Sequence, residues 1–490
     1  MASPGGMAAS SKPDASTAGE VNLITLAPGH FHASLFHKEM VPGVCERVHV
    51  YAPLGPDLLA HLSRVGQFNA RQENPTRWQI EVHTGPDYWE RLLAERPGNV
   101  VVLSGNNRSK IGRIEALAQR GLHVLADKPW IIEPSELPAL QAALEAAEEK
   151  RVAIYDALTQ RFEISCILQK EFVNDPNVFG ARVAGSDAEP AVQMESVHYL
   201  LKEVAGMPSL RPAWFFDIHQ QGEGLTDVGT HLVDLVQWTL FPEQAVDYRA
   251  EIVVLRGSRW PTILTHTQFQ RVTGEREFPE FLKPWSSRSE EAASSKSEIR
   301  NPKSEIPQSF LAPAGAPEDR LEYFANNSVL YTVRGIYTKL IIRWEFEAPP
   351  GAKDSERAVF RGSKSRIEVR QGQEEEFRPE IFVVPSSLDQ KAAVLDALQR
   401  KVQTLQKAWP GLAVQDQGAR LRVIIPERYR IGHEAHFSLL TRQFLDYVRN
   451  PKAIPFWEKP NMLAKYFVTT KGIELARQNS PGEGSPKPAK

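Results

Sequence analysis

VNLITLAPGHFHASLFHKEM, residues 21–40, reads as a buried strand, a tight turn and the opening of a helix. VNLITLA (21–27) is short, branched and apolar on both faces, as a strand covered on both sides must be. HASLFHKEM (32–40) follows as a helix. The alternation then repeats. Strands are expected at RVHVYA (47–52), QIEVH (79–83), NVVVLSG (99–105), HVLADK (123–128) and RVAIYDAL (151–158). Helices are expected at DLLAHLSRV (57–65), DYWERLLAE (87–95), SKIGRIEALAQRG (109–121) and SELPALQAALEAAEEK (135–150). Parallel neighbours need a crossover, and helices supply it. Residues 21–158 are therefore expected to form a doubly wound α/β domain of the Rossmann type.

Beyond 158 the texture changes. Helices are expected at 193–206 and 225–240. Strands follow with few helices between them, at 249–257, 262–272, 327–335, 338–348 and 366–372. This pattern predicts an α+β domain over 159–478 with a large, mostly antiparallel open sheet. Two helices, 434–449 and 460–477, close it. The small, polar residues 1–20 read as a disordered leader, and the Pro/Gly/Lys-rich 479–490 as a disordered tail. Residues 286–309, which carry KSEI twice, read as a disordered insertion inside the second domain.

Composition narrows the function. The chain has 490 residues, 42% of them hydrophobic, which is enough for two cores. A formal net charge of −2 with no basic run argues against a nucleic-acid partner. No apolar run is long enough to cross a bilayer, and no signal-peptide core is seen. Two cysteines, Cys45 and Cys166, without CxxC spacing, exclude a disulfide scaffold and a cysteine zinc site. The expectation is a cytoplasmic protein. His30, His32 and His37 cluster in sequence but lack cysteine partners, so no metal site is expected.

The chemistry is expected at the carboxyl edge of the first sheet, where open α/β folds bind their ligands. The turn APGHFH (27–32) holds Ala27, Gly29 and His32 at the three glycine places of a dinucleotide fingerprint, so only the middle glycine is kept. Gly29, His30 and Phe31 are expected beside a cofactor pyrophosphate. No acid ends the second strand, and Asp57 is the nearest carboxylate; NAD and NADP both remain open. Ser104 and Asn106 of SGNN (104–107), and Asp127, Lys128 and Pro129 of ADKPW (126–130), lie at the ends of the next strands. Far along the chain, GEGLTDVGTHLVDL (222–235) puts Asp227 and His231 four apart, on one helical face. A carboxylate one turn from an imidazole can orient it, and histidine suits proton transfer near neutral pH.

The ordered set APGHFH, SGNN, ADKPW, TQRF (159–162) and GEGLTDVGTHLVDL resembles the glucose–fructose oxidoreductase / inositol dehydrogenase (Gfo/Idh/MocA) family. ESVHYLLKEVAGMPSLRPAWFFDIHQQGEG is similar to a subgroup of oxidoreductases with its own C-terminal domain. The resemblance covers 21–240 by motif and 241–478 by texture. It implies an NAD or NADP cofactor and a hydroxyl of a sugar, polyol or sugar derivative as substrate. Lys128, Asp227 and His231 are then the catalytic set, with Arg161, His198 and Lys202 on the substrate wall. The exposed face of a large open sheet commonly finds a partner, so a homo-oligomer through the second sheet is also expected. The chain departs from the family in its depleted glycines, its missing ribose acid and Ser109 in place of a frequent histidine. Two rival readings stand beside the dehydrogenase. One is NAD-dependent glycoside hydrolysis by transient oxidation and elimination; the other is a non-catalytic relative that binds a sugar or a partner.

Overall fold

The computed structural model describes residues 21–204, 207–208, 210–283 and 320–479. The leader, the 286–309 insertion and the tail from 480 onward lie outside the described residues. Among the described residues, the strands in chain order are β1 Val21–Leu26, β2 Val44–Tyr51, β3 Gln79–His83, β4 Val100–Leu103, β5 His123–Ala126, β6 Ile154–Asp156, β7 Val192–Leu201, β8 Glu203–Val204, β9 Met207–Pro208, β10 Ile252–Thr265, β11 Arg320–Val333, β12 Ile336–Glu347, β13 Ser355–Arg361, β14 Ser365–Gln371, β15 Glu380–Pro385, β16 Ala413–Asp416 and β17 Leu421–Ile424. The helices are α1 His32–Leu35, α2 Pro56–Ala70, α3 Tyr88–Glu95, α4 Lys110–Gln119, α5 Leu137–Lys150, α6 Ile164–Val173, α7 Gly224–Asp227, α8 Gly229–Leu240, α9 Tyr248–Glu251, α10 His266–Thr273, then α11 Lys391–Leu405, α12 His433–Arg449 and α13 Glu458–Gln478.

The first six strands form an all-parallel sheet in the order β3-β2-β1-β4-β5-β6. The order reverses between β1 and β4, which is where an open α/β sheet leaves a crevice. Val100–Leu103 are buried throughout, as a strand covered on both faces requires. One face packs on α4 and α5 through Ile111, Ile114, Leu117, Leu140 and Leu144. The other packs on α2 through Leu58 and Val65. Neither face is closed by the N-terminal half alone. Phe437, Leu440 and Phe444 of α12 complete one side, and Met462, Leu463 and Tyr466 of α13 complete the other.

The second sheet has nine strands among the described residues, in the order β10-β11-β12-β7-β13-β14-β15-β17-β16. It is antiparallel except for the β7–β12 pair. Helices α6, α8 and α13 cover one face through Leu168, Phe172, Leu232, Val236, Val468 and Ile473. No helix among the described residues is long and apolar enough to cross a membrane.

Two expectations fail. The described part of 193–206 forms no helix; Val192–Leu201 is a strand between β12 and β13, with Val192, Met194 and Ser196 buried in alternation. Pairing on both edges outweighs the local helix preference of Met, Glu and Leu. The strand expected over 262–272 stops at Thr265, whose side chain caps α10 reciprocally with Gln268. The first helix is also shorter than expected, ending at Leu35.

Gly224, at the start of α7, lies hard against β11: a Cβ there would come within 1.9 Å of the Ala325 carbonyl. Gly112, in α4, has open space around its Cβ position. Gly224→Ala is expected to cost more than about 3 kcal/mol in urea unfolding, while Gly112→Ala gains up to about 1 kcal/mol. Equal effects of the two would contradict this packing.

Candidate active site

Lys128 is delivered by the end of β5. The backbone just beyond it is pinned from afar: Trp130 N–H donates to the Tyr466 hydroxyl of α13 (2.9 Å), and that hydroxyl donates to Asp156 Oδ2 (2.9 Å). Trp130 is fully buried and returns its indole N–H to the Ala126 carbonyl (3.2 Å). The Lys128–Pro129 peptide is cis.

Asp227 is delivered by α7, whose entry is fixed by Glu223. That buried carboxylate accepts from Arg259, Arg477 and Asn327, each at 3.0 Å. Lys128 Nζ then meets Asp227 Oδ1 at 2.5 Å, across 99 residues of sequence. Their side chains are 12% and 7% exposed. Burial pulls the Lys128 pKa down, but Asp227 and Asp127 outweigh it and raise it above the usual lysine value. Burial likewise pushes Asp227 up, and Lys128 brings it below the usual carboxylate value. The pair is ionic at neutral pH. Arg211 and Tyr323 also feel the Asp227 charge from the second sheet's side.

His231 sits one turn into the helical run that continues from Asp227, in α8. Asp227 gives its carboxylate to Lys128, and His231 Nδ1 is buried without a hydrogen-bond partner among the described residues. Burial, then the Lys128 charge, holds this imidazole well below the usual histidine range, so it is neutral and basic in form.

The turn after β1 is organised differently from a glycine fingerprint. Gly29 N–H (2.9 Å) and His30 N–H (3.3 Å) both donate to the Ser104 carbonyl. The four-residue α1 offers no helix terminus for an anion. Gly29 and Gly105 lie back to back, with Gly105 Cα 3.3 Å from where a Gly29 Cβ would stand. Ser104 Oγ donates to Asp127 Oδ2 (3.0 Å), and Asp127 also meets His30 Nδ1 (2.8 Å) and His32 Nδ1 (3.0 Å). Burial raises the Asp127 pKa, yet the two histidines hold it well below the carboxylate range. Phe31 is exposed, with its ring 6.1 Å from His433. His37 leaves the cluster and packs against His61 and Trp78.

Asn106 donates to Gln220 Oε1 (2.6 Å), so the loop after β4 is tied to the segment that precedes α7. Asn107 reinforces the tie at Gln221 (2.8 Å), and buried Lys110 bonds Asn107 (2.5 Å) and the Asp127 carbonyl (2.9 Å). A cavity of about 390 Å³ opens at the switch point, lined by Pro28, Pro53, Asp57, Asn106, Arg108 and Trp214 among others. Trp214 Nε1–H donates to Asp57 there (2.9 Å).

The expected substrate wall divides. Arg161 is spent elsewhere: its guanidinium forks onto Asp234 (2.7 Å twice) and reaches Glu458 (2.6 Å). It locks α8 to α13, with three of its five N–H groups committed to these two carboxylates. His198, in β7, and Lys202, one residue past its end, meet at one carboxylate. Both bond Asp354 Oδ2, at 2.9 and 2.5 Å, and His198 stacks near Trp344. Glu223, Lys110, Asn107, Tyr466 and Trp214 were not singled out in the sequence. Their partners lie too far along the chain for spacing to signal them.

The family described as "Putative oxidoreductase C terminal domain" matches residues 168–300 and 303–477. The solved structure of a "putative oxidoreductase" from Parabacteroides merdae ATCC 43184 is 40% identical, covers 94% of this chain and 98% of its own, and superposes with a TM-score of 0.86. Levoglucosan dehydrogenase, solved with NADH and levoglucosan, is 12% identical over 94% of this chain and 98% of its own, with a TM-score of 0.53. KijD10, a 3-ketoreductase from Actinomadura kijaniata solved with NADP and TDP-benzene, is 12% identical over 91% and 95%, with a TM-score of 0.50. These last two share the fold. No curated protein matches the sequence.

Buried imidazoles make the whole assembly acid-sensitive. Burial holds His30, His37 and His123 down at about 4 and His61 at about 3. Both ring nitrogens of His61 lack partners, so it has nothing to stabilise a proton. In the unfolded chain each takes up a proton near 6.5. Their contribution is therefore complete above about 6.5 and is lost as pH falls toward 4, at up to about 1.4 kcal/mol per pH unit for each histidine. Urea unfolding at pH 7.5, 6, 5 and 4.5 should show a steepening fall across this range; a flat profile would sink the assignment.

Proposed function

The chain belongs to the Gfo/Idh/MocA oxidoreductases, in the subgroup with this C-terminal domain, and on that footing we propose that it is an NAD(P)-dependent dehydrogenase acting on a hydroxyl of a sugar or sugar derivative. The observation that carries the reading is the Lys128–Asp227 ion pair at the carboxyl edge of the parallel sheet, beside a neutral His231 whose Nδ1 has no partner. A scaffold without chemistry has no use for a half-closed lysine–aspartate pair next to an orphaned imidazole nitrogen.

The residues present fit a dinucleotide. The cavity at the switch point and the close glycine backbones of Gly29 and Gly105, where side chains are excluded, form a cradle for its adenosine end. Asp57 can accept from ribose hydroxyls, and Arg108 lies in the same wall. Gly29 and Phe31 border this cradle; His30, Ser104 and Asp127 form its inner floor. The bound cofactor supplies the hydride acceptor. NADH-bound levoglucosan dehydrogenase and the NADP-bound 3-ketoreductase support the coenzyme class and the sugar class, at the level of a shared fold.

The protein's own groups divide the remaining work. Lys128 is cationic, held so by Asp227, and cannot act as the base; its N–H groups hold the substrate hydroxyl and stabilise negative charge growing on oxygen. His231 is neutral and takes the hydroxyl proton on a ring nitrogen. Asp227 keeps Lys128 charged and aimed. His198, Lys202 and Asp354 form the far polar wall, reached past Arg211 and Trp344, and can bond further hydroxyls.

Lys128→Ala should abolish turnover while the purified protein stays folded and still binds the dinucleotide, at a melting temperature lowered by the loss of a partner to buried Asp227. His231→Gln should lower kcat by ~10²–10⁴-fold and remove the acid limb of the pH–rate profile. Screening NAD and NADP with simple pyranosides, by absorbance of the reduced nicotinamide, tests the class. Normal turnover by the Lys128 variant would sink the assignment, and cleavage of a glycoside without net reduced cofactor would replace it with the hydrolytic alternative.

A further inference from the structure

Two imidazoles and one carboxylate meet where the fingerprint turn faces the end of β5. His30 and His32 leave the turn two residues apart, and their rings stand edge to face with centroids 4.4 Å apart. Each presents Nδ1 to a different oxygen of Asp127, at 2.8 and 3.0 Å. The three donor atoms all lie within 4.8 Å of one another. Two nitrogens and a carboxylate converging in this way are a donor set for a divalent first-row transition ion. Their spacing suits one: neighbouring ligands at right angles on an ion with ~2.1 Å bonds are ~3 Å apart.

The surroundings support the set. Ser104 Oγ donates to Asp127 Oδ2, the kind of outer hydrogen bond that orients a metal carboxylate. His32 is fixed by stacking on His433 at 5.0 Å and by Phe437 at 5.4 Å. His30 keeps 27% of its side chain exposed, which leaves an entry path. The nearby cations are answered already. Lys128 is neutralised by Asp227, and the Lys110 ammonium is held by Asn107 and the Asp127 carbonyl.

We propose that His30, His32 and Asp127 bind one divalent first-row transition-metal ion on the floor of the cleft beside Lys128. This runs against the expectation from sequence, where the histidines stood without a visible partner because Asp127 lies 95 residues away. It stands on these three side chains, two of which also floor the proposed dinucleotide cradle, so it is tested without nucleotide.

The full chain, stripped with a chelator and dialysed metal-free, should be titrated with cobalt(II) chloride and followed by visible absorption. Melting temperature with and without zinc chloride gives a second readout. One saturable equivalent with d–d bands, and a zinc-dependent rise in melting temperature, are expected in the absence of nucleotide. His30→Ala and the gentler His30→Gln should each weaken cobalt binding by at least ~10-fold. The described residues hold one other triplet of this kind, His49, Glu81 and His83 on β2 and β3, so His83→Ala serves as the control and should leave the equivalent in place. The absence of a saturable band and of any zinc shift would overturn the proposal, leaving Asp127 simply hydrogen-bonded by two histidines. A band lost in His83→Ala and kept in the His30 variants would overturn it too.

Discussion

A buried polar seam along α13 is the constraint on which the rest of this molecule depends. Lys465 meets Asp156 at 3.0 Å and Asp234 at 3.8 Å, Tyr466 bonds Asp156 and receives Trp130, and Arg161 joins Asp234 to Glu458. Charges this deep are tolerable only when paired, and removing one partner from such a set costs several kcal/mol. The seam touches β6, the segment after Lys128, the helix that carries His231 and the final helix at once. It therefore sets the distance between the two sheets, and with it the meeting of Lys128 and Asp227. The far end of α13 does the same for α7, because Arg477 bonds both Glu133 and Glu223.

The parallel sheet was legible because its central strands, β1, β4 and β5, are buried on two faces and every crossover is a helix, two local signals that agree. β7 was not legible. Its Met, Glu and Leu favour a helix, and only the strands on either side, more than 140 residues later in the chain for β12, make it a strand. α10 carried a signal that was outweighed: Thr265 and Gln268 stand at capping-box spacing, but the branched TILT before them extended the apparent strand. The pairing of Lys128 with the Asp227/His231 helix was readable only as a set of motifs in order. Asp227's actual partner, and the loss of Arg161 to Asp234 and Glu458, depend on contacts 73 to 297 residues apart that no spacing rule reaches.

The turn after β1 shows why a depleted fingerprint need not mean a lost site. Its backbone N–H groups are committed to Ser104, so they do not form the usual anion cradle. What the turn contributes is side chains, two imidazoles on Asp127, and a glycine pair that keeps the crevice wall thin. Polar capacity has moved from main chain to side chain while the sheet beneath is unchanged. The floor of the crevice thereby becomes sensitive to protonation in a way that a glycine loop is not.

Because Tyr466 lies 336 residues beyond Trp130, the first sheet leaves the ribosome long before α12 and α13, which complete its two covers, exist. α12 and α13 are among the last described segments made, and until they arrive the parts of the two faces that Phe437, Phe444, Met462 and Tyr466 cover lack those partners. Vectorial synthesis thus cannot finish the N-terminal half first, as it does for a self-contained domain. Packing of the first sheet is complete only once α12 and α13 have docked on it.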